Sequence, residues 1–301
     1  MIRIARHGRY PFSLISDRPD YDWPAGARLA IYIAINVEVF AFGEGLGAEL
    51  APGGPQPDVL NYAWRDYGNR VGVVRMAELL DELGLPCSVL ANSAIYEEAA
   101  GVMELFRKRG DEIVGHGRSN AERQGHLSEA EERALIAEAT ETLAAHEGRR
   151  PKGWLGPWIS QSHATPDLLK EAGYEYLLDW CHDDQPVWMT TRAGPILSIP
   201  YPQELNDIPM IVGRKLDAAA FARMITDQFD EMLEQSVRQP LVMGIALHSY
   251  IMGQPYRLRH LRGALRHILA GADRRVWITT AGAIAGHVRD GLTKGTVEGA
   301  S

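Results

Sequence analysis

Three polar residues stand directly behind short apolar runs, and their types suit hydrolytic chemistry. They are Glu38, His116 and His248. A carboxylate and two imidazoles can activate a water molecule and protonate a leaving group. Asp179, which also follows an apolar run, is a candidate for holding one imidazole in the right tautomer. We assign these four residues as catalytic candidates, with Glu38 as the base if burial raises its pKa toward neutrality.

The neighbours of these residues are candidates for binding a substrate. Strand alternation places Asn36 on the same face as Glu38. His116 lies in the polar run GHGRSNAERQ, which also supplies Arg118 and Asn120. Tryptophans can wall a compact ligand pocket, since such pockets are mostly apolar and aromatic, although core packing explains them equally well. The tryptophans in question are Trp154, Trp180 and Trp188.

Apolar runs of strand length recur along the chain. The clearest are LAIYIAI and LVMGIAL, which suit strands buried on both faces of a parallel sheet. The predicted strands are 29–35, 87–91, 111–116, 175–179, 197–201, 241–247 and 275–279.

Segments of helical period separate these runs. They cover 71–83, 94–108, 129–147, 165–172, 218–237 and 256–270. Ser128 and Glu131 form a capping box before the third of them. Strand and helix alternate about seven times, which indicates parallel strands with crossover helices. We therefore predict an α/β fold, a distorted (β/α) barrel of about seven parallel strands, with its active site at the carboxyl ends of the strands.

The domain organisation follows from this alternation. We predict one catalytic barrel domain over 1–301, with an N-terminal arm at 1–28 and a loose, Gly-rich tail at 289–301. Two long irregular stretches, 41–68 and 180–196, interrupt the alternation of strands and helices. Loops of that length are uncommon unless they serve a function.

Composition narrows the classes of function. The net charge of −8 argues against nucleic-acid binding, and two cysteines cannot form a disulfide framework. The longest apolar runs fall far short of the ~20 residues of a membrane span. The segment 1–8 lacks the apolar core of a signal peptide. We expect a cytoplasmic enzyme with a small-molecule substrate and no membrane or nucleic-acid partner.

From about Asp20 to Val288 the sequence resembles the NodB-homology, or polysaccharide deacetylase, superfamily, and most closely its allantoinase-like branch. The resemblance rests on five motif positions in order and on four further segments. The segments are DYGNRVGVVR at 66–75, DDQPVW at 183–188, IPY at 199–201 and ND at 206–207. The motif positions are Asn36-x-Glu38, His116 with Asn120, Gly153–Pro157, Asp179–Trp180 and Leu247–His248. The resemblance implies a distorted barrel, hydrolysis of carbon–nitrogen bonds, and a homo-oligomer.

Three motifs depart from the metal-dependent deacetylases of this superfamily. Asn36 and Glu38 stand where those enzymes carry two aspartates, although Asn-x-Glu matches the allantoinase-like branch. Asn120 occupies the place of a second metal-binding histidine, and Leu155 that of an arginine. A metal, if present, would be held by Glu38, His116 and Asn120, but an amide oxygen is a weak ligand for zinc. We expect a site with no metal or with a weakly bound divalent metal.

Three functions are compatible with these residues. The first is the opening of a small cyclic amide, imide or ureide. The second is metal-dependent deacetylation of an N-acetylated sugar or polysaccharide. The third is a non-catalytic descendant of the fold that binds a small ligand or sugar.

Overall fold

The computed structural model describes residues 4–298, with side chains described as far as Gly291. Within these residues the backbone forms nine strands, one of them antiparallel to its neighbour. The strands are β1 (Leu29–Val37), β2 (Ser88–Ala91), β3 (Glu112–Gly115), β4 (Gly153–Trp154), β5 (Tyr176–Leu177), β6 (Val187–Met189), β7 (Ile196–Ser198), β8 (Leu241–His248) and β9 (Val276–Thr279).

Helices cover the outside of this sheet. They are α1 (Val59–Tyr67), α2 (Val73–Leu83), α3 (Ile95–Glu98), α4 (Ala100–Arg109), α5 (Glu129–Glu147), α6 (Thr165–Glu171), α7 (Ala218–Gln235), α8 (Ser249–Met252), α9 (Pro255–Gly271) and α10 (Ala281–Glu298). The capping box of Ser128 and Glu131 is present at the start of α5, as predicted. Each helix in the described part of the chain is too short or too polar to cross a membrane.

The sheet curls into a barrel around β1. Its strands follow the order β6-β7-β5-β4-β3-β2-β1-β8, and β9 pairs with the first half of β1. Beyond β8 the barrel continues through loop backbone, because Val242 and Ala246 donate N–H hydrogen bonds to Asp184 (2.8 Å) and Leu205 (2.9 Å). The predicted distorted (β/α) barrel is confirmed.

Alternation along β1 decides which residues face the barrel interior. The odd-numbered residues from Leu29 to Val37 pack under the surrounding helices. Ala30, Tyr32 and Ala34 pack in the interior cluster. Asn36 and Glu38 continue the interior row, so the strand delivers both polar side chains to the mouth of the barrel.

The structure differs from the sequence prediction in four places. Strands β4 and β6 were not predicted, since runs of two or three residues carry no readable period. The stretch 41–68 is not all loop, because α1 occupies its last third, capped by Asp58. The tail predicted at 289–301 is helical as far as Glu298, and residues 299–301 lie outside the described residues.

Candidate active site

Glu38 lies between two imidazoles at the carboxyl end of the sheet. It follows the last residue of β1, whereas His116 follows β3 and His248 ends β8. The Oε1 atom of Glu38 lies 3.5 Å from Nε2 of His116 and 3.5 Å from Nε2 of His248. All three side chains are buried, with 2% to 8% of their surface exposed. The structure thus brings together three of the four catalytic candidates.

An aspartate holds the ring of His248 in place. Nδ1–H of His248 donates to Oδ1 of Asp207 at 2.6 Å, and the backbone N–H of His248 donates to Oδ2 at 2.8 Å. We predicted Asp179 for this role, and that assignment is wrong. Asp179 instead accepts the backbone N–H of Gly156 at 2.7 Å. The ND pair at 206–207, already noted as part of the resemblance, is the signal that could have found Asp207.

The tautomer of His116 follows from its second contact. Its Nδ1 lies 2.7 Å from the carbonyl oxygen of Leu155. A carbonyl only accepts, so Nδ1 carries the hydrogen and Nε2 faces Glu38. The Nε2 atom is buried and has no hydrogen-bond partner at normal distance. In the neutral ring this atom is an acceptor, open to a water molecule or a substrate.

The orientation of Asn120 is fixed by a chain of hydrogen bonds that starts on the backbone. The N–H of Val39 donates to Oδ1 of Asn92 at 2.8 Å, so the Asn92 amide group must be the donor at its other end. That group donates to Oδ1 of Asn120 at 3.1 Å. Nδ2 of Asn120 is therefore the atom that faces Glu38, and it donates to Oε1 at 2.6 Å.

This orientation does not fit a metal ligand. Asn120 presents N–H rather than oxygen to the centre, and a metal site needs deprotonated or oxygen donors. In the part of the chain with described side chains, no group of three or more His, Cys, Asp and Glu residues is arranged to hold a metal ion. The set Glu38, His116 and Asn120 therefore does not form a metal centre in this arrangement.

The imidazoles and carboxylates set one another's protonation. Burial alone would raise the pKa of Glu38, but the positive charge of His248, whose Nε2 lies 3.5 Å away, outweighs it and holds the pKa well below its ordinary value. We expected burial to raise this pKa, and that expectation is wrong. Burial alone would lower the pKa of His248, but Asp207 and Glu38 raise it to about 10. At neutral pH the site therefore holds an ionised Glu38 beside a protonated His248.

A cavity of about 340 Å³ opens above these residues. Asn36, Glu38, His116, Asn120 and His248 line its floor. Aromatic side chains form much of its wall; they are Phe40, Trp64, Trp158, Tyr201 and Tyr250. We did not predict any of these five, although Tyr201 lies in the IPY segment and Trp158 directly follows the Gly153–Pro157 motif.

Several predicted site residues lie elsewhere. Arg118 is exposed and pairs with Glu122 and Glu138 on the surface. Trp154 is fully buried in the core, where its indole N–H donates to Gln124 at 3.2 Å. Asp179, Trp180 and Trp188 are likewise not among the residues that line the cavity.

The fold and this site together define a hydrolase-type (β/α) barrel with its polar residues at the strand ends. Two solved structures share the fold over 92% of this chain and 97% of their own chains. One is PuuE allantoinase, with a TM-score of 0.81 and 27% identity. The other is a probable polysaccharide deacetylase from Pseudomonas aeruginosa PAO1, with a TM-score of 0.80 and 28% identity.

One curated protein is similar in sequence. The peptidoglycan deacetylase of Helicobacter pylori (strain ATCC 700392 / 26695) is 25% identical over 189 residues. The aligned region covers 62% of this chain and 63% of that protein, less than two thirds of its length. No protein-family model matches the sequence. With the fold and the ordered motif positions, these likenesses support the resemblance to the polysaccharide deacetylase superfamily.

Proposed function

We propose that this protein is a hydrolase of carbon–nitrogen bonds other than peptide bonds, and that it opens a small cyclic amide, imide or ureide. The observation that carries the proposal is the placement of Glu38. One carboxylate oxygen lies 3.5 Å from two imidazole nitrogens and accepts an amide N–H from Asn120. This group can move protons without a metal.

The first step needs an activated water. Glu38 is ionised, and the neutral form of His116 also presents an acceptor to the same space. A water that donates one proton to each acceptor turns a lone pair of its oxygen toward the cavity. As that oxygen attacks the substrate carbonyl carbon, Glu38 takes the proton. The other oxygen of Glu38, Oε2, is buried without a partner, which leaves it free to take part.

The second step breaks the carbon–nitrogen bond. The tetrahedral intermediate collapses as His248 donates its Nε2 proton to the leaving nitrogen. Asp207 stabilises the imidazolium before transfer and keeps its ring aimed at Glu38. Because Glu38 and His248 are in contact, the proton gained by the first can return to the second. This transfer restores the starting state.

The cavity supports a small, ring-shaped substrate. Ligand pockets typically have volumes of ~300–1,000 Å³, and this one lies at the lower end of that range. Phe40 and Trp158 pack edge to face in its wall, with ring centroids 6.3 Å apart. A small cavity with aromatic walls favours a flat ring over an extended polymer chain.

A second candidate is deacetylation of an N-acetylated sugar, which the names of the Helicobacter pylori and Pseudomonas aeruginosa relatives suggest. Metal dependence would be expected for that activity within this superfamily. Asn120 presents its amide N–H group to Glu38, and this argues against a metal centre at the site.

One experiment separates these candidates. Protein dialysed against a chelator is tested on allantoin, dihydrouracil, hydantoin and succinimide, and on N-acetylglucosamine oligomers with and without added zinc. We expect hydrolysis of at least one ring in the metal-free sample, and none by the E38Q variant. Zinc-dependent release of acetate without ring opening would favour deacetylation. Tight binding without any turnover would favour a binding protein.

Two further expectations belong to this proposal. A cytoplasmic location and a homo-oligomeric state stay predictions from the sequence. Size-exclusion chromatography with light scattering measures the second directly.

A further inference from the structure

One cationic side chain in the cavity has no role in the chemistry described above. Arg65 lies on α1 and lines the same cavity as Glu38. Its guanidinium carbon lies 3.7 Å from the centroid of the Phe40 ring. The rings of Trp158 and Tyr250 lie 6.0 Å away from the same carbon. The cation is therefore held among aromatic rings that exclude water from much of its surface.

The guanidinium lacks acceptors in this setting. Its Nε and Nη1 atoms are buried without a hydrogen-bond partner, and no described residue forms an ion pair with it. Glu49 also lines the cavity, but it is exposed and makes no ion pair with Arg65. By contrast, Arg109, which is also partly buried, pairs with Asp111 at 2.6 Å. An arginine keeps its charge at any physiological pH, so its buried donors need an acceptor from elsewhere.

The neighbouring backbone is shaped around this side chain. A Cβ atom added to Gly47 would lie 2.1 Å from Nη1 of Arg65. A larger residue there would displace the guanidinium from its present position, and the φ of +75° at Gly47 also favours glycine. The loop before α1 therefore fits closely around an arginine that makes no internal ion pair.

We propose that Arg65 binds a carboxylate of the substrate. This assignment rests on the proposed function and names its substrate class: a small cyclic amide or ureide that carries a carboxylate away from the bond to be broken. The reacting carbonyl lies at Glu38 and His248 on the cavity floor, while the carboxylate pairs with Arg65 on the wall. Arginine is well suited to this task because its planar donors match the geometry of a carboxylate.

A matched pair of substrates tests the assignment. Dihydroorotate and dihydrouracil share one ring and differ in a carboxylate. We expect kcat/KM of the native protein to favour dihydroorotate, and R65Q to reduce the ratio of the two values about 100-fold. R65K, which keeps the charge but loses the planar donors, should reduce the ratio less. The control is R70Q, since Arg70 is an exposed arginine just beyond α1 that pairs with Asp66.

A binding measurement keeps the test independent of turnover. The E38Q variant is titrated with dihydroorotate and dihydrouracil by calorimetry, alone and combined with R65Q. Tighter binding of dihydroorotate that R65Q abolishes supports the assignment, even if no ring is hydrolysed and the proposed function fails. Equal binding of the two compounds, or an equal loss of both with R65Q, overturns it. Hydrolysis of dihydrouracil in preference to dihydroorotate also overturns it and leaves the proposed function standing.

Discussion

Glu38 and Asp179 are buried carboxylates at the carboxyl ends of strands in one sheet, yet their pKa values move in opposite directions. Glu38 follows β1, and the positive charge of His248 beside it outweighs burial and holds its pKa well below the ordinary value. Asp179 lies just beyond β5 and accepts one backbone N–H, while its other oxygen is buried without a partner. Burial raises the pKa of Asp179 to about 7. The two side chains are about equally shielded, with 8% and 7% exposure.

The difference shows that neighbouring charges, rather than burial, decide which carboxylate is ionised. The two imidazoles that contact Glu38 come from the ends of two different strands. Among the described residues no cationic side chain contributes at Asp179, and Leu155 stands where the superfamily resemblance implies an arginine. Our expectation that burial would tune Glu38 thus describes Asp179 instead. The first region is equipped for proton transfer, whereas the second carries an acid with no cationic partner.

The largest expected effect compares two isosteric changes. E38Q and D179N each replace one buried carboxylate by an amide. We expect E38Q to lower kcat/KM about 10³- to 10⁴-fold, because it removes the base. D179N should lower it less than about 10-fold, since Asp179 does not line the cavity. Steady-state kinetics at pH 7.5 on a ring substrate measures both, and similar losses in the two variants would erase the distinction between the regions.

The next effect concerns the carboxylate that raises the pKa of His248. The imidazolium is the proton donor, so kcat/KM of the native protein should fall as pH rises through about 10. D207N removes the larger of the two attractive charges, and we expect a rate about 10²-fold lower with the alkaline fall moved to lower pH. The control is D230N, which removes the partner of the exposed His267. A D207N profile that falls at the native pH would show that Asp207 does not set the pKa of His248.

The positions of the two histidines could be predicted from the strands that carry them. His116 follows β3, and His248 is the last residue of β8. The register of β1 and β8 pairs Asn36 with His248 directly. Apolar runs of this length carry a strong signal, and the barrel rule then places the polar residues at their carboxyl ends in one site. The capping box before α5 is likewise local, so the sequence alone identifies it.

Asp207 and Arg65 could not be placed in this way. Asp207 follows Asn206 in a connection without period, and its position depends on long-range contacts such as the bridge between Asn206 and Ala246. Arg65 lies in a helix that follows a Gly- and Pro-rich stretch, where Asp58 as N-cap was the one local sign of a helix. Such residues are positioned by tertiary contacts between distant segments, which local propensity does not encode.

A stability measurement sharpens the account of the second region. The folded protein keeps the proton of Asp179 up to about pH 7, whereas the unfolded chain releases it near its ordinary value of 3.8. Stability from this group is therefore present below about pH 4 and is lost as pH rises to about 7. D179N cannot ionise, so it should be more stable than the native protein at pH 8 by about 2 kcal/mol. Thermal unfolding from pH 4 to 8 measures the difference. The test compares the stability difference between D179N and the native protein at pH 4 and at pH 8. If this difference does not increase toward pH 8, Asp179 has a partner in solution that keeps it ionised without cost.

The smallest expected effect concerns Arg118, which is close in sequence to the Glu38 site but outside it. Arg118 lies two residues after His116, but its side chain turns outward to Glu122 and Glu138. Exposed ion pairs contribute little, so R118Q should change kcat/KM less than about twofold and stability by less than about 1 kcal/mol. The place of this arginine in a polar run favours substrate binding, whereas its contacts in the structure do not. Kinetics on dihydroorotate and dihydrouracil tests this. If R118Q lowers kcat/KM for dihydroorotate but not for dihydrouracil, the carboxylate is bound at the surface by Arg118 and not at the cavity wall by Arg65.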